Sequence, residues 1–156
     1  MQNKIYLFLE NVKEEGILFA KYDASLVESS NYKIQYKRDN MGTPFGAPMA
    51  DLITLTIRGY NDKNINTLYR RIRDNSPDSF TLVHNPVFDT NSELLQSYDN
   101  AIVYRGYIVD IEEYFHGGLT PTKNELDEQM LFTIKIMPTK VEYVGYNSDV
   151  TIHISE

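Results

Sequence analysis

The chain is predicted to be mainly β: a small barrel or two-sheet sandwich with one lateral α-helix. Three observations predict this. Several runs alternate apolar and polar residues with a period of two, the signature of half-buried strands. One stretch alone, Ile65 to Ile72, places apolar residues at i, i+3, i+4 and i+7. No βαβ rhythm interrupts the strands. The 156 residues fit a single domain, 1–156, and are ample for a core.

In chain order, Ile5 to Leu9 reads as a first strand and Asn11 to Gly16 as a charged turn. Ile17 to Leu26 resumes as a second strand or a continuation of the first. The polar run Glu28 to Asn31 breaks it. Tyr32, Ile34 and Tyr36 alternate and end in Arg38-Asp39. A second run puts Ile53, Leu55 and Ile57 on one face and Thr54, Thr56 and Arg58 on the other. Asp62 or Asn64 can cap the helix that follows. Its predicted stripe is Ile65, Leu68, Tyr69 and Ile72, with Arg70, Arg71 and Arg73 largely off it. Basic residues near its end suit the helix dipole. Ser79 to His84 is a strand, and Ser92 to Tyr98 is expected to form one helical turn inside a loose region. Ala101 to Phe115 is a long strand in which Gly106 signals a bulge or bend. His116 to Glu128 is a turn-rich loop. Met130 to Tyr143 is a second long strand, made an edge or a bulge by Pro138, and Val150 to Ile154 closes the chain.

The stretch between Tyr32 and Tyr60 organises the rest. Its centre carries Gly42, Pro44, Gly46 and Pro48, and reads as a loop too long for a tight hairpin. That loop holds three large apolar residues, Met41, Phe45 and Met49. Apolar residues with no periodic partner have nothing of their own to pack on. A contact with another copy is therefore expected, with Arg38 and Asp39 fixing register and Met41, Phe45 and Met49 as anchors. Pro44 and Pro48 belong to the same assembly loop. The alternative for Arg38-Asp39 is a surface ion pair worth about 0–1 kcal/mol.

Composition narrows the function classes. The formal charge of −7 argues against nucleic acid as the main partner, because phosphates need a basic face. With no cysteine there is no disulfide framework, thiolate site or cysteine nucleophile. The N-terminus lacks a signal-peptide pattern, and no stretch approaches a membrane span. His84, His116 and His153 lie in separate segments without metal-ligand spacing, and are expected to be exposed. Asp110, Glu112 and Glu113 form the densest carboxylate run on a strand. They would serve a hydrolase only if a second acid faced them across a cleft; otherwise they are a solvated face. The glycines at 42 and 46 match neither the Walker pattern nor GxGxxG. The twelve tyrosines and seven phenylalanines either fill a core or offer stacking platforms for a small ligand or glycan. No cofactor or metal is expected.

The order of several blocks resembles a known family. Arg38-Asp39 ends a strand before Gly42, Pro44 and Gly46. Ile53 to Arg58 and Tyr60 to Asp62 then lead into the helix. Later come Tyr107 to Phe115, Met130 to Met137 and Lys140 to Tyr143. Together these are similar to the Hcp-like tube protein (TssD) of type VI secretion systems, in the form found in Bacteroidetes. The resemblance implies a small β-barrel with a lateral helix, an architecture shared with phage tail-tube proteins. It implies no enzyme. Copies would form six-membered rings that stack into a hollow tube, built in the cytoplasm and exported without a signal peptide. Partners would be sheath, spike and baseplate proteins, with effectors carried in the lumen. Pro86 to Asn100 reads as an insertion relative to the family, and the tail after Asn147 as an added strand.

Overall fold

A computed structural model describes residues 4–13, 16, 18–58, 62–115, 130–145 and 149–154. Among these there are eleven strands, one α-helix and one short 3-10 helix. The principal strands are β1 (Ile5–Phe8), β2 (Ala24–Asn31), β5 (Ile53–Arg58), β6 (Asp78–His84), β9 (Asn100–Phe115) and β10 (Met130–Val144). They pair in the order β10-β5-β2-β1-β6-β9, and β9 returns to pair with β10. Every pairing is antiparallel, and the β9–β10 ladder closes the sheet into a barrel. Closure leaves these six strands without an open side to the sheet, which settles the choice between barrel and sandwich.

The period of two does what it predicts. Ile53, Leu55 and Ile57 are buried inside, opposite Ile136, Ile134 and Phe132 of β10, while Thr54 and Thr56 are half-buried outside. Phe80, Leu82 and Tyr104 complete the interior with Leu7. The barrel is thus filled by side chains.

The wall made by β1, β6 and β9 is covered outside as well. Phe8, Val83 and Ala101 form a second buried cluster under Tyr6, Phe19, Phe88, Leu95 and Tyr98. Phe8 meets Phe19 edge-on at 5.7 Å, and Tyr6 meets Phe88 at 5.8 Å. Part of this cover, Phe88, Leu95 and Tyr98, comes from the segment read as an insertion. It contains a small hairpin, β7 (Val87–Phe88) with β8 (Leu95–Ser97), not the expected helical turn over Ser92 to Tyr98. Its bend is held by the Asp89 carboxylate, which accepts from the Asn91 amide (3.1 Å) and the Ser92 hydroxyl (3.0 Å).

Two further expectations are corrected. The second strand starts at Ala24, after a 3-10 helix at Lys21–Asp23, and Ile17 lies outside the described residues. Glu28 to Asn31 do not break it. Ser29, Ser30 and Asn31 pair with Thr56, Leu55 and Thr54 past a bulge, so the ladder to β5 overrides their weak strand preference.

The helix α1 (Asp62–Asp74) packs Leu68, Ile65 and Ile72 against the main core. Asn64 is not its cap. The side-chain amide donates to the Asp23 carbonyl (3.1 Å) and the Ser25 hydroxyl (3.0 Å), pinning the helix to the start of β2. Tyr69 sits on the flank and donates to Glu113 at 2.6 Å. The helix ends at Asn75, whose φ of 51° and amide bond to the Arg71 carbonyl form a left-handed cap.

Pro138 sits at a bulge in β10, as expected, at a point where only β9 pairs with the strand. Leu131 to Ile136 run beside β5, and Lys140 to Val144 beside β11 (Asp149–His153). Pro138 falls between the two partners, opposite Gly106, where the register shifts. A residue without an N–H is tolerated at such a gap. Lys13 ties the N-terminal turn to this end of the sheet, bonding Glu142 at 2.5 Å and Asp149 at 2.7 Å. Those bonds hold its pKa above the usual lysine range.

Candidate assembly surface

The stretch read as a loop is a hairpin arm. Strands β3 (Ile34–Arg38) and β4 (Pro44–Ala50) pair with each other as a separate two-stranded sheet. Arg38 faces Pro44, Lys37 faces Phe45, Gln35 faces Met49 and Ile34 faces Ala50. A wide bulge opposite Tyr36 absorbs Gly46, Ala47 and Pro48. Gly42 in the turn and Gly46 in the bulge have φ of 82° and 75°, a region costly for other residues. The glycines and prolines that suggested an irregular loop are thus the parts that make a tight turn and a bulged strand.

Arg38 and Asp39 do not pair with each other among the described ion pairs. The Asp39 carboxylate turns into the loop and accepts from the amides of Met41 and Thr43, both at 2.9 Å. Its own amide donates to the Thr43 carbonyl at 3.0 Å. Asp39 therefore builds the turn, and Arg38 is left exposed beside it. Asp39→Ala is expected to free both amides. Exchange at Met41 and Thr43 should rise about tenfold, for hydrogen bonds worth about 0.5–1.5 kcal/mol each. The barrel's unfolding midpoint should stay put, because the arm shares no ladder with it; a shifted midpoint would show that it does more.

The arm's apolar residues are largely uncovered. Met41 is 92% exposed, Phe45 52% and Tyr36 50%; Pro48 and Met49 are half-buried. At its base, Ile34 packs on the core and the Tyr32 ring meets Tyr104 edge-on at 5.4 Å. Among the described strands, the arm's outer sides and the outer side of β11 are unpaired. Free strand edges and exposed apolar side chains both invite another chain.

Among the described residues, the carboxylate run lines no cleft. Asp110 is exposed, 3.9 Å from Lys135 across the strand pair, and Glu112 is exposed opposite Thr133. Glu113 is engaged by Tyr69. No cluster of three or more potential metal ligands occurs among the described residues. His153 is exposed; His84 is half-buried, against expectation, because it shares the inward face of β6 with Phe80 and Leu82 and pairs with Ile5; His116 lies outside the described residues. Large aromatics such as Tyr104, Phe80, Phe8 and Phe132 are buried in the cores. Among the described residues, no helix is long and apolar enough to cross a membrane.

No protein-family model and no curated protein matches the sequence. Solved structures do match, over the full length. A crystal structure of an Hcp protein aligns with TM-score 0.68 at 12% identity, covering 99% of both chains. The secreted protein Hcp3 from Pseudomonas aeruginosa aligns with TM-score 0.60 at 11% identity, covering 99% of this chain and 100% of its own. Hcp1 from Flavobacterium johnsoniae aligns with TM-score 0.55 at 10% identity, covering 96% and 98%. Matched end to end, the closed barrel and lateral helix of this chain have the fold of these Hcp structures.

Proposed function

We propose that the chain is a structural subunit of a contractile injection machine of the type VI secretion kind. Copies join into a ring of six, rings stack into a tube, and the tube is exported with effectors in its lumen. Sheath, spike and baseplate proteins are its partners, and it makes and breaks no covalent bonds. The observation that carries this reading is the arm. A closed barrel satisfies its own strands, yet the same chain holds a hairpin with Met41, Phe45 and Tyr36 in solvent. Such a surface is costly to keep unless it is covered by a neighbour. The full-length likeness to Hcp structures supports the same reading. Arg38, Asp39, Met41, Pro44, Phe45, Pro48 and Met49 are the proposed assembly residues, with Asp39 and the two prolines shaping the arm.

The test is a double substitution, Phe45→Asp with Met49→Asp. The expected result is loss of the high-mass species in sedimentation and of rings in electron micrographs. Burying two such side chains at a contact is worth several kcal/mol, at about 1.5–3 kcal/mol each. The monomer's circular dichroism should be unchanged. Rings that form as before would show that the arm is not the contact.

A further inference from the structure

The arm needs a receiving surface, and a cleft on the far side of the sequence has the opposite chemistry. It lies between the end of β1 (Phe8, Leu9, Glu10), the segment Leu18–Phe19 with Asp23, and the first turns of α1 (Asn64, Thr67). Its floor is apolar: Phe19 rests edge-on against Phe8. Leu18 at its rim is 74% exposed, an apolar side chain that its own chain does not cover. The charged residues lining it are both acidic. Glu10 keeps 57% of its side chain exposed, 3.8 Å from Arg71, and Asp23 lies across from it.

The arm tip reads as the complement. It presents two exposed cations, Lys37 opposite Phe45 and Arg38 opposite Pro44, with Met41 in the turn beyond them. From Lys33 to Ala50 the arm carries Lys33, Lys37 and Arg38 against Asp39 alone, in a chain whose net charge is −7. We infer that the cleft formed by Leu18, Phe19, Glu10 and Asp23 receives the arm tip of a second copy. Met41 and Phe45 cover Leu18 and Phe19, and Arg38 lies against the acidic rim. The inference rests on the self-assembly reading above and names its other half. Two different patches meeting in this way make a heterologous contact, the kind that closes rings or grows filaments. Opposite charges also steer the encounter and set the register.

The chain has no cysteine, so paired thiols can be introduced cleanly. Met41→Cys protein is mixed with Leu18→Cys protein under mild oxidation. A parallel mixture uses Val109→Cys, an exposed site on β9 that does not line the cleft. A docked tip raises the local thiol concentration, so the Met41→Cys/Leu18→Cys disulfide should exceed the control by at least about tenfold. Leu18→Lys, at a position too exposed to disturb folding, should weaken assembly by putting a cation under Met41 and Phe45, and Arg38→Glu should weaken it independently by setting a carboxylate against the acidic rim. Equal cross-linking in both mixtures, or normal rings from Leu18→Lys, would overturn the cleft while leaving the tube reading standing. If the unsubstituted chain forms nothing larger than a monomer at any concentration, the self-assembly reading falls first and the cleft with it.

Discussion

Gly106→Ala is expected to destabilise the barrel by about 3–5 kcal/mol, among the larger effects a single methyl group can have. A Cβ at this position would lie 2.2 Å from the Met137 carbonyl oxygen and 2.9 Å from both the Met137 carbonyl carbon and the Pro138 Cα. Comfortable separations for such atoms are about 3.5–4.0 Å. All three atoms belong to backbone, so no side chain can swing aside. The backbone itself is held, because β10 is paired on both sides just before and just after this point. Relief requires opening the bulge where β9 crosses Pro138. For a chain of this size the cost corresponds to a fall in Tm of roughly 8–15 °C. Urea unfolding and a thermal melt check it. Gly46→Ala is the control: its φ is 75° but nothing lies within 4 Å, so it should cost about 1 kcal/mol, confined to the arm. A Gly106→Ala melt within a degree of the parent would mean that the two strands do not approach as described.

Gly106 also marks how far the sequence could be read. A glycine inside a long strand run signals a bulge, and a proline inside another does the same. That these two residues face each other is a matter of register between segments far apart in the chain, and no local pattern carries it. The fold class was legible because Ile53 to Arg58 and Met130 to Met137 have one dry face and one wetter face. Where both faces are covered, as at Thr81 and Val83, the alternation fades and the cover itself could not be foreseen. The strand through Ser29 to Asn31 was hidden because its residues are polar and its support comes from β5.

For the candidate site, the apolar residues of the arm were legible, and its shape was not. Gly46 and Pro48 are breakers by type, yet here they fill a bulge in a paired strand. Arg38 and Asp39 look like a pair because they are adjacent. Neighbours on a strand point to opposite faces, so adjacency is poor evidence for a bond between them. The sequence held the better signal: an Asp three residues before a Gly is a turn pattern, and the carboxylate closes that turn. The cleft assembles from three distant segments and left no local trace.

The helix shows the same limit in a form that can be tested. Apolar residues alone centre its buried stripe on Leu68, Ile65, Ile72 and Tyr69. The structure packs Leu68, Ile65 and Ile72 on the core as expected, adds Asn64 and Arg71 on the other flank, and leaves Tyr69 41% exposed. The true inner face is rotated by about half of the 100° residue step. The sequence shows three arginines near the helix end, and treats them alike. Arg71 differs: only 13% of its side chain is exposed. Its guanidinium donates to the Leu9 carbonyl and to the Ser79 carbonyl (3.4 Å), and lies 5.0 Å over the Phe80 ring. Asp78 at 3.6 Å and Glu10 at 3.8 Å balance its charge. Burial lowers its pKa, against the pull of those two carboxylates.

Arg71→Met is therefore expected to lower stability by about 2–4 kcal/mol. The stem's packing survives, but two carbonyls lose their donor and two carboxylates lose their cation. Breaking a fully buried pair costs about 3–5 kcal/mol, and the partial exposure of Asp78 and Glu10 sets the lower range. Arg71→Lys should recover only part, because an ammonium cannot reach both carbonyls and stack on Phe80 at once. Arg73→Ala is the matched control. Its side chain is 71% exposed and bonds only its neighbour Asp74 among the described residues, so it should stay within about 0.5 kcal/mol of the parent. Chemical denaturation of the three variants decides the matter. If Arg71→Met and Arg73→Ala unfold at the same midpoint, position 71 is one more solvated cation, and the helix is held by Leu68 and its apolar flank alone.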